Sequence, residues 1–169
     1  YREFARAGLT AEVLPIMSLS IGEAELPALP RTSMTGHYVT WNYLHEMDAP
    51  ANRDFISAWR DFSGDPKAVA NDPMEATWLG FNLWTAAVEK AGTLDTNKVR
   101  AAISGLSIDA PSGFRVRMDR ENHHLHKPAA IGRIDRHGVI QPVWISDDVL
   151  PPEPWSPWLR VQAPGKDAA

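Results

Sequence analysis

The stretch from Ser107 to Ser146 constrains this chain more than any other. It reads SIDAPSGFRVRMDRENHHLHKPAAIGRIDRHGVIQPVWIS. Three extended runs lie in it, joined by tight turns. Phe114–Met118 alternates apolar and basic residues, Pro128–Asp135 sets Ile131 and Ile134 among small and charged ones, and Val139–Ile145 is rich in β-branched and aromatic side chains. Period-two alternation bounded by Gly, Asp and Asn is the pattern of antiparallel strands. Asp135-Arg136-His137-Gly138 reads as a tight turn, opened by Asp and closed by a Gly that tolerates positive φ. The expectation is an antiparallel three-stranded meander with one buried face. The rest of the chain must then supply what that face packs against.

At 169 residues with 44% hydrophobic content, the chain can build one sizeable core or two small lobes. A net charge of −4 argues against nucleic acid or an anionic membrane surface as a partner, since both favour basic patches. No apolar run approaches ~20 residues, so no segment reads as membrane-spanning. The absence of Cys removes disulfides, thiolate catalysis and Cys-type zinc sites, and fits either redox compartment. Tyr1–Leu9 resembles the last turns of an amphipathic helix that stops at Gly8. A chain that opens inside a helix, without an initiator Met or a signal peptide, is expected to be a fragment of something longer.

Val13–Ile21 (VLPIMSLSI) reads as a buried strand, and Gly22–Leu26 as the start of a short helix ended by Pro27 and Pro30. In open parallel sheets the ligand crevice lies at the carboxyl ends of the strands, which is where Ser18 and Ser20 fall. Taken alone, either serine is better explained by bonding to local backbone donors or by capping the helix. Gly36–Tyr43 (GHYVTWNY) is the next strand, with Trp41 and Tyr43 on one face and Thr40 and Asn42 on the other. Aromatics at this density point to a core, although a Tyr hydroxyl at a strand end can also face a pocket. Asp48 is predicted to cap a helix entered through Pro50, in which Phe55, Ile56, Trp59 and Phe62 recur at helical spacing. Asp72 is predicted to cap a second helix, with Pro73 in its first turn and Glu75 closing a capping box. That helix should run to Ala91 and be the most buried, because Trp78, Leu79, Phe81, Leu83, Trp84 and Val88 cover most of its circumference. Glu75 and Asn82 are its polar exceptions, read as cap or surface. Asp95 caps a short helix through Ser104. After the strands, a proline-rich segment reads as an extended tail pinned by Trp155 and Trp158, with 156–169 outside the core.

Chemistry is scarce. His123, His124 and His126 form the one conspicuous cluster, and on a strand His124 and His126 would share a face. Two such imidazoles can bind zinc or nickel, with Asp119 or Glu121 adding oxygen, but no third ligand stands at a recognised spacing. The bland alternative is a turn with surface histidines. There is no phosphate-binding glycine loop and no nucleophile elbow. The carboxylate pairs Glu23/Glu25 and Asp147/Asp148 read as solvated charge. Nothing points to catalysis or to a cofactor.

Several motifs nevertheless converge. MSLSIGEAEL, GHYVTWNY with DAPANRDFISAW, NDPMEATWLGFNLWTAAVEKAG, and DAPSGFRVRMDRENHHLHKPAAIGRI together resemble the C-terminal part of the urea and short-chain-amide substrate-binding proteins of ABC importers. These are type I periplasmic binding proteins, similar also to the amide-sensing regulator and to branched-chain amino-acid binding proteins. The resemblance runs from Tyr1 to about Trp155, and the combination of NDPMEA with ENHHL-x-KP marks the urea/amide branch.

The resemblance implies an α/β fragment of a two-lobed Venus-flytrap fold. Residues 1–43 and 107–155 would belong to the C-terminal lobe, and 48–105 to a helical return into the N-terminal lobe. Crossovers would lie near Leu44–Met47 and Gly105–Ile108. It implies a non-catalytic, periplasmic solute-binding component that delivers a small neutral ligand, urea or a short-chain amide, to ABC permease subunits. Ser18 and Ser20 match the cleft-facing strand-end positions where the amino-acid branch carries an acidic residue, and Tyr43 near the hinge is a further ligand candidate. Urea and amides need hydroxyls and backbone groups in a dry cleft rather than a charge. The alternatives are a cytoplasmic amide-sensing regulator, a branched-chain amino-acid binder, and a metal-binding domain built on His123–His126.

Overall fold

The computed structural model describes residues 1–154. Its strands are β1 (Met17–Ser18), β2 (Tyr38–Trp41), β3 (Ser107–Asp109), β4 (Arg115–Met118), β5 (Leu125–His126), β6 (Ala130–Ile134) and β7 (Ile140–Ile145). Its helices are α1 (Arg2–Arg6), α2 (Arg31–Met34), α3 (Pro50–Ser63), α4 (Asp72–Ala91) and α5 (Thr96–Ile103). They form two sheets. One has the order β1-β2-β6-β7, with β1 parallel to β2 and the other pairs antiparallel. The other is an antiparallel β3-β4-β5 sheet.

The extended runs of Ser107–Ser146 are strands, but they do not make one meander. The first, β4, pairs with β3 and β5, whereas β6 and β7 form a hairpin against β2. Alternation reports that a segment is extended, not which neighbour it takes. The turn between β6 and β7 is as expected: Asp135 Oδ1 accepts the backbone N–H groups of His137 and Val139 at 2.8 and 3.0 Å. Gly132 is obligatory in this hairpin. A Cβ there would sit 2.2 Å from Ile140 Cγ2 and 3.0 Å from Leu44 Cδ1, at the register shift between Ile131 and Gly132.

The main core lies on one face of the first sheet. Val39, Ala130, Ile134 and Ile140 meet Leu26, Met34, Tyr43, Leu44 and Met47, with Phe55, Trp59 and Met74 closing it from the helices. Each large aliphatic side chain sealed there contributes about 1.5–3 kcal/mol. A second cluster joins Leu79 of α4 to Ala110 and Val116 of the smaller sheet. The tip of the β3–β4 hairpin reaches the start of α3: Gly113 has φ +87°, and a Cβ there would lie 2.8 Å from Ala49 Cβ.

Several expectations need correction. Val13–Ile21 is not a buried strand: only Met17–Ser18 pairs, and Val13, Leu14, Met17 and Leu19 are exposed. Gly22–Leu26 is a turn followed by a 3-10 segment, Leu26–Ala28, not an α-helix. The caps lie one residue from where they were placed. Ala49 precedes α3 and Asp48 pairs with Arg53 instead, while Asn71 caps α4 through Met74 N–H at 3.1 Å. Asp95 caps α5 as expected. α4 buries a stripe of Glu75, Leu79, Leu83 and Ala87, but leaves Trp78, Phe81 and Trp84 exposed. Phe62 of α3 is 85% exposed. Ile108, Ala110, Val116 and Leu125 of the smaller sheet and its turn pack on Leu79 of α4, and residues 127–129 lead from that sheet to β6. The tail pinned by Trp155 and Trp158 lies outside the described residues.

Candidate functional site

β1 ends at Ser18, opposite Val39 of the parallel β2, which continues to Trp41. The chain turns there, and Ser20 N–H donates to Ser18 Oγ at 3.4 Å. Trp41 Nε1 donates to Ile21 O at 2.8 Å, and Gly22 N–H to Glu25 Oε2 at 2.9 Å. The serine turn is thus tied to the end of β2 by the Trp41 indole, while Tyr43 lies beyond the strand, which ends at Trp41. Ser18 is half-buried and Ser20 exposed, and Leu19 between them carries no charge. Each serine hydroxyl can donate once and accept twice, which suits a neutral ligand with both kinds of polar edge.

The third candidate stands apart. Tyr43 is buried in the main core, and its hydroxyl donates to Asn52 Oδ1 at 2.7 Å. Burial pushes this phenol above its ordinary range, and the carboxylates of Glu23 and Glu75 push it further. Asn52 also donates to the carbonyls of His45 and Met47 at 2.8 and 2.7 Å, so Tyr43 and Asn52 brace the connection after β2 from behind. None of Ser18, Ser20 and Tyr43 lines the three grooves described next. One groove, of about 820 Å³, runs between His45–Asp48 and the Asn52, Arg60 and Asp61 side of α3. A second, of about 540 Å³, lies at the far end of the sheet beside Gly36 and Arg133–His137. A third, of about 390 Å³, sits by Asn42, Leu125, Lys127 and Leu150.

The junction of sheet and helices holds buried charge that the sequence reading placed on the surface. Glu75 is wholly buried, and its Oε2 lies 2.7 Å from Lys127 Nζ. Lys127 Nζ also approaches Asp72 Oδ1 at 3.7 Å, and that oxygen accepts Asn42 N–H at 3.0 Å. Asn42 Nδ2 donates to Pro128 O at 2.6 Å. Nearby, Glu23 is buried with Oε1 accepting His45 N–H at 2.8 Å. Burial pushes its carboxyl up to about 7, against the pull of that hydrogen bond and with help from Asp72 and Glu25. Glu75 is also raised by burial, and Lys127 offsets part of the rise. Glu23 Oε2 and Glu75 Oε1 have no partner among the described residues. The signal for Glu75 was available: it sits four and eight residues before Leu79 and Leu83, on the buried stripe of α4 rather than on its surface.

The histidine cluster does not converge. His123 sits in a turn with φ 57°, and β5 contains only Leu125 and His126. His126 Nε2 lies 3.0 Å from Asp119 Oδ2. Backbone N–H groups of Glu121 and Asn122, and then His126, hold Asp119 well below the ordinary carboxylate range. Among the described residues no group of three or more His, Asp or Glu could hold a metal ion. No helix of the described residues is long and apolar enough to cross a membrane.

Comparison with known proteins places this geometry. Residues 1–160 match the periplasmic binding protein domain family. The chain is similar to the amino acid ABC transporter substrate-binding protein of Pseudomonas fluorescens Pf-5, with a TM-score of 0.75, 18% identity, and coverage of 89% of this chain and 41% of that one. It is similar to a solute-binding protein of an ABC transporter from Rhodopseudomonas palustris BisB5, solved with 3,4-dihydroxybenzoic acid, at a TM-score of 0.74 and 18% identity over 88% of this chain and 41% of that one. A curated protein named limonene hydroxylase, from Geobacillus stearothermophilus, is 26% identical over 119 residues, which is 70% of this chain and 21% of that protein. The chain thus spans about two fifths of the solved structures and about one fifth of the curated relative.

Proposed function

From the premise that this chain belongs to the periplasmic binding protein domain family, we propose that it is part of a non-catalytic solute-binding component of an ABC importer. Its ligand is small and uncharged, urea or a short-chain amide. The whole protein works in the periplasm and hands its ligand to permease subunits.

The observation that carries the ligand class is the Ser18–Ser20 turn. Two hydroxyls stand at the carboxyl end of a parallel strand, held there by the Trp41–Ile21 hydrogen bond, with no carboxylate on the turn to meet an ammonium group. Gly22 N–H is already taken by Glu25, and Glu23 is turned inward to His45. In this reading Ser18 and Ser20 touch the solute, and Tyr43 supports the adjacent connection. The unit of β1, β2, β6 and β7 forms one lobe. The α3–α5 helices with β3–β5 belong to the other, joined through 42–48, 127–129 and 146–149.

A second reading has support of its own. Among the structural neighbours is the leucine-, isoleucine-, valine-, threonine- and alanine-binding protein of Brucella ovis, at a TM-score of 0.72 and 17% identity. An amino-acid ligand would need a carboxylate near the serine turn, which the other lobe would have to supply. A cytoplasmic sensor of amides remains a third reading on the same ligand chemistry.

The test is a thermal-shift series on the full-length protein that carries this chain, with urea, acetamide and leucine, repeated on Ser20→Glu. Ligand at about 100 times its dissociation constant adds about 2.7 kcal/mol of stability, which moves the transition by several degrees. Shifts with urea or acetamide that Ser20→Glu abolishes support the reading. A shift with leucine alone contradicts the neutral-ligand assignment.

A further inference from the structure

The large sheet and the helical layer are joined by three short connections, 42–48, 127–129 and 146–149. One buried polar network grips the first two, while the third runs alongside the second through Ser146 N–H to Ala129 O and Leu150 N–H to Lys127 O. Asn42 follows β2 directly, and Lys127 and Pro128 lie just before β6. Asn42 Nδ2–H to Pro128 O, at 2.6 Å, links the first two connections to each other. From the first turn of α4, Asp72 Oδ1 holds Asn42 N–H and Glu75 Oε2 holds Lys127 Nζ. The side chains of Lys127 and Asp72 are 10% and 12% exposed, and that of Glu75 is fully buried. A charge pair taken this far out of water is held firmly, because separating it leaves one charge buried alone.

We infer that Lys127 is a positioning residue for solute binding, because its bridge to Glu75 and Asp72 clamps the first two connections to α4 and fixes where the two units pivot. The inference rests on the two-lobed solute-binding reading above. Relative motion of the units must be absorbed by φ/ψ changes in these three connections. With Asn42 and Lys127 anchored to one helix, the change in the first two is confined to the residues on either side of them, and the third, bonded to the second at Lys127 O, follows it. The pivot then lies beside Asn42 and Pro128. Lys127 does not touch the serine turn in this role. It sets how much of the closed arrangement exists before solute arrives, and so scales affinity for every solute alike.

The test compares the full-length protein with Lys127→Met and with Glu75→Gln/Lys127→Met, the second keeping the fold free of an orphaned carboxylate. Without ligand, hydrogen exchange at 43–47 and 127–129 should accelerate about tenfold or more in both variants, while the β6–β7 hairpin keeps its protection. Affinities for urea and acetamide should change by one common factor. Uniform loss of protection across β2, β6 and β7 would show a purely structural role and overturn the inference. So would unchanged exchange at the connections, or a changed ratio of the two affinities, which would mean that Lys127 contacts the solute. If neither solute binds either variant or the parent protein, the solute reading falls, and the exchange experiment alone decides the pivot.

Discussion

Glu23 and Glu75 are the same residue type, both buried, both beside the connections between sheet and helices, and they behave as opposites. Glu75 has a lysine at 2.7 Å, while Glu23 has one backbone N–H at 2.8 Å and, among the described residues, no cation. Pairing converts burial into dependence on a partner. Lack of pairing converts it into dependence on pH. Low solvent exposure alone predicts neither.

The largest expected effect breaks the pair. Lys127→Met leaves Glu75 buried and unpaired and should cost about 3–5 kcal/mol in chemical denaturation, whereas adding Glu75→Gln should recover most of it. A double variant as unstable as the single one would mean that Glu75 was never paired in solution.

The next effect sharpens the unpaired side. The Glu23 carboxyl is raised from an ordinary 4.5 to about 7. Between those values the folded protein holds a proton that the unfolded chain has released. Its stabilising contribution is therefore full below about 4.5 and is lost as pH rises through about 7. The shift corresponds to about 3 kcal/mol. Glu75 is raised in the same direction, while buried His37 and His45 are lowered and oppose the trend in acid. The measurement is therefore a difference: Glu23→Gln should gain stability over the parent at pH 8 and lose that advantage by pH 5. A constant difference across that range would contradict the assignment.

Neutral hydrogen bonds come next. Tyr43→Phe strands Asn52 Oδ1 in the core and should cost about 1–3 kcal/mol without changing solute affinity. A lost affinity at unchanged stability would return Tyr43 to the ligand site. The smallest contrast concerns the helix starts. Asn71→Ala should cost about 1 kcal/mol because Asn71 caps α4. Asp48→Ala should cost under about 0.5 kcal/mol, since its pair with Arg53 is exposed.

Local features were legible in the sequence. The Asp135–Gly138 turn, the start of α5 at Asp95 and the end of α4 at Ala91 follow from side-chain capping and turn chemistry acting within a few residues. Pairing across the chain was not, so β4 was grouped with β6 and β7 although the two sets lie in different sheets. The apolar run Val13–Leu19 suggested burial, yet β1 is two residues long and its flanks are exposed. The same limit governs α4, where Trp78, Phe81 and Trp84 face outward while a glutamate faces in. Hydrophobicity states what a side chain prefers, and only the fold decides which face is covered. Of the site, the serine turn was visible as a strand end. The Asp72–Glu75–Lys127 junction was hidden because a glutamate in the first turn of a helix usually caps it. The i, i+4, i+8 alignment of Glu75 with Leu79 and Leu83 carried the contrary signal.

The central claim is that the Ser18–Ser20 turn belongs to a site for a small uncharged solute. Calorimetric titration of the full-length protein with urea, acetamide, leucine and 4-hydroxybenzoate tests it most directly. Saturable binding of urea or acetamide, with no heat from leucine or the benzoate, is the predicted result. Saturable binding of leucine or 4-hydroxybenzoate, with none of either neutral solute, would contradict it.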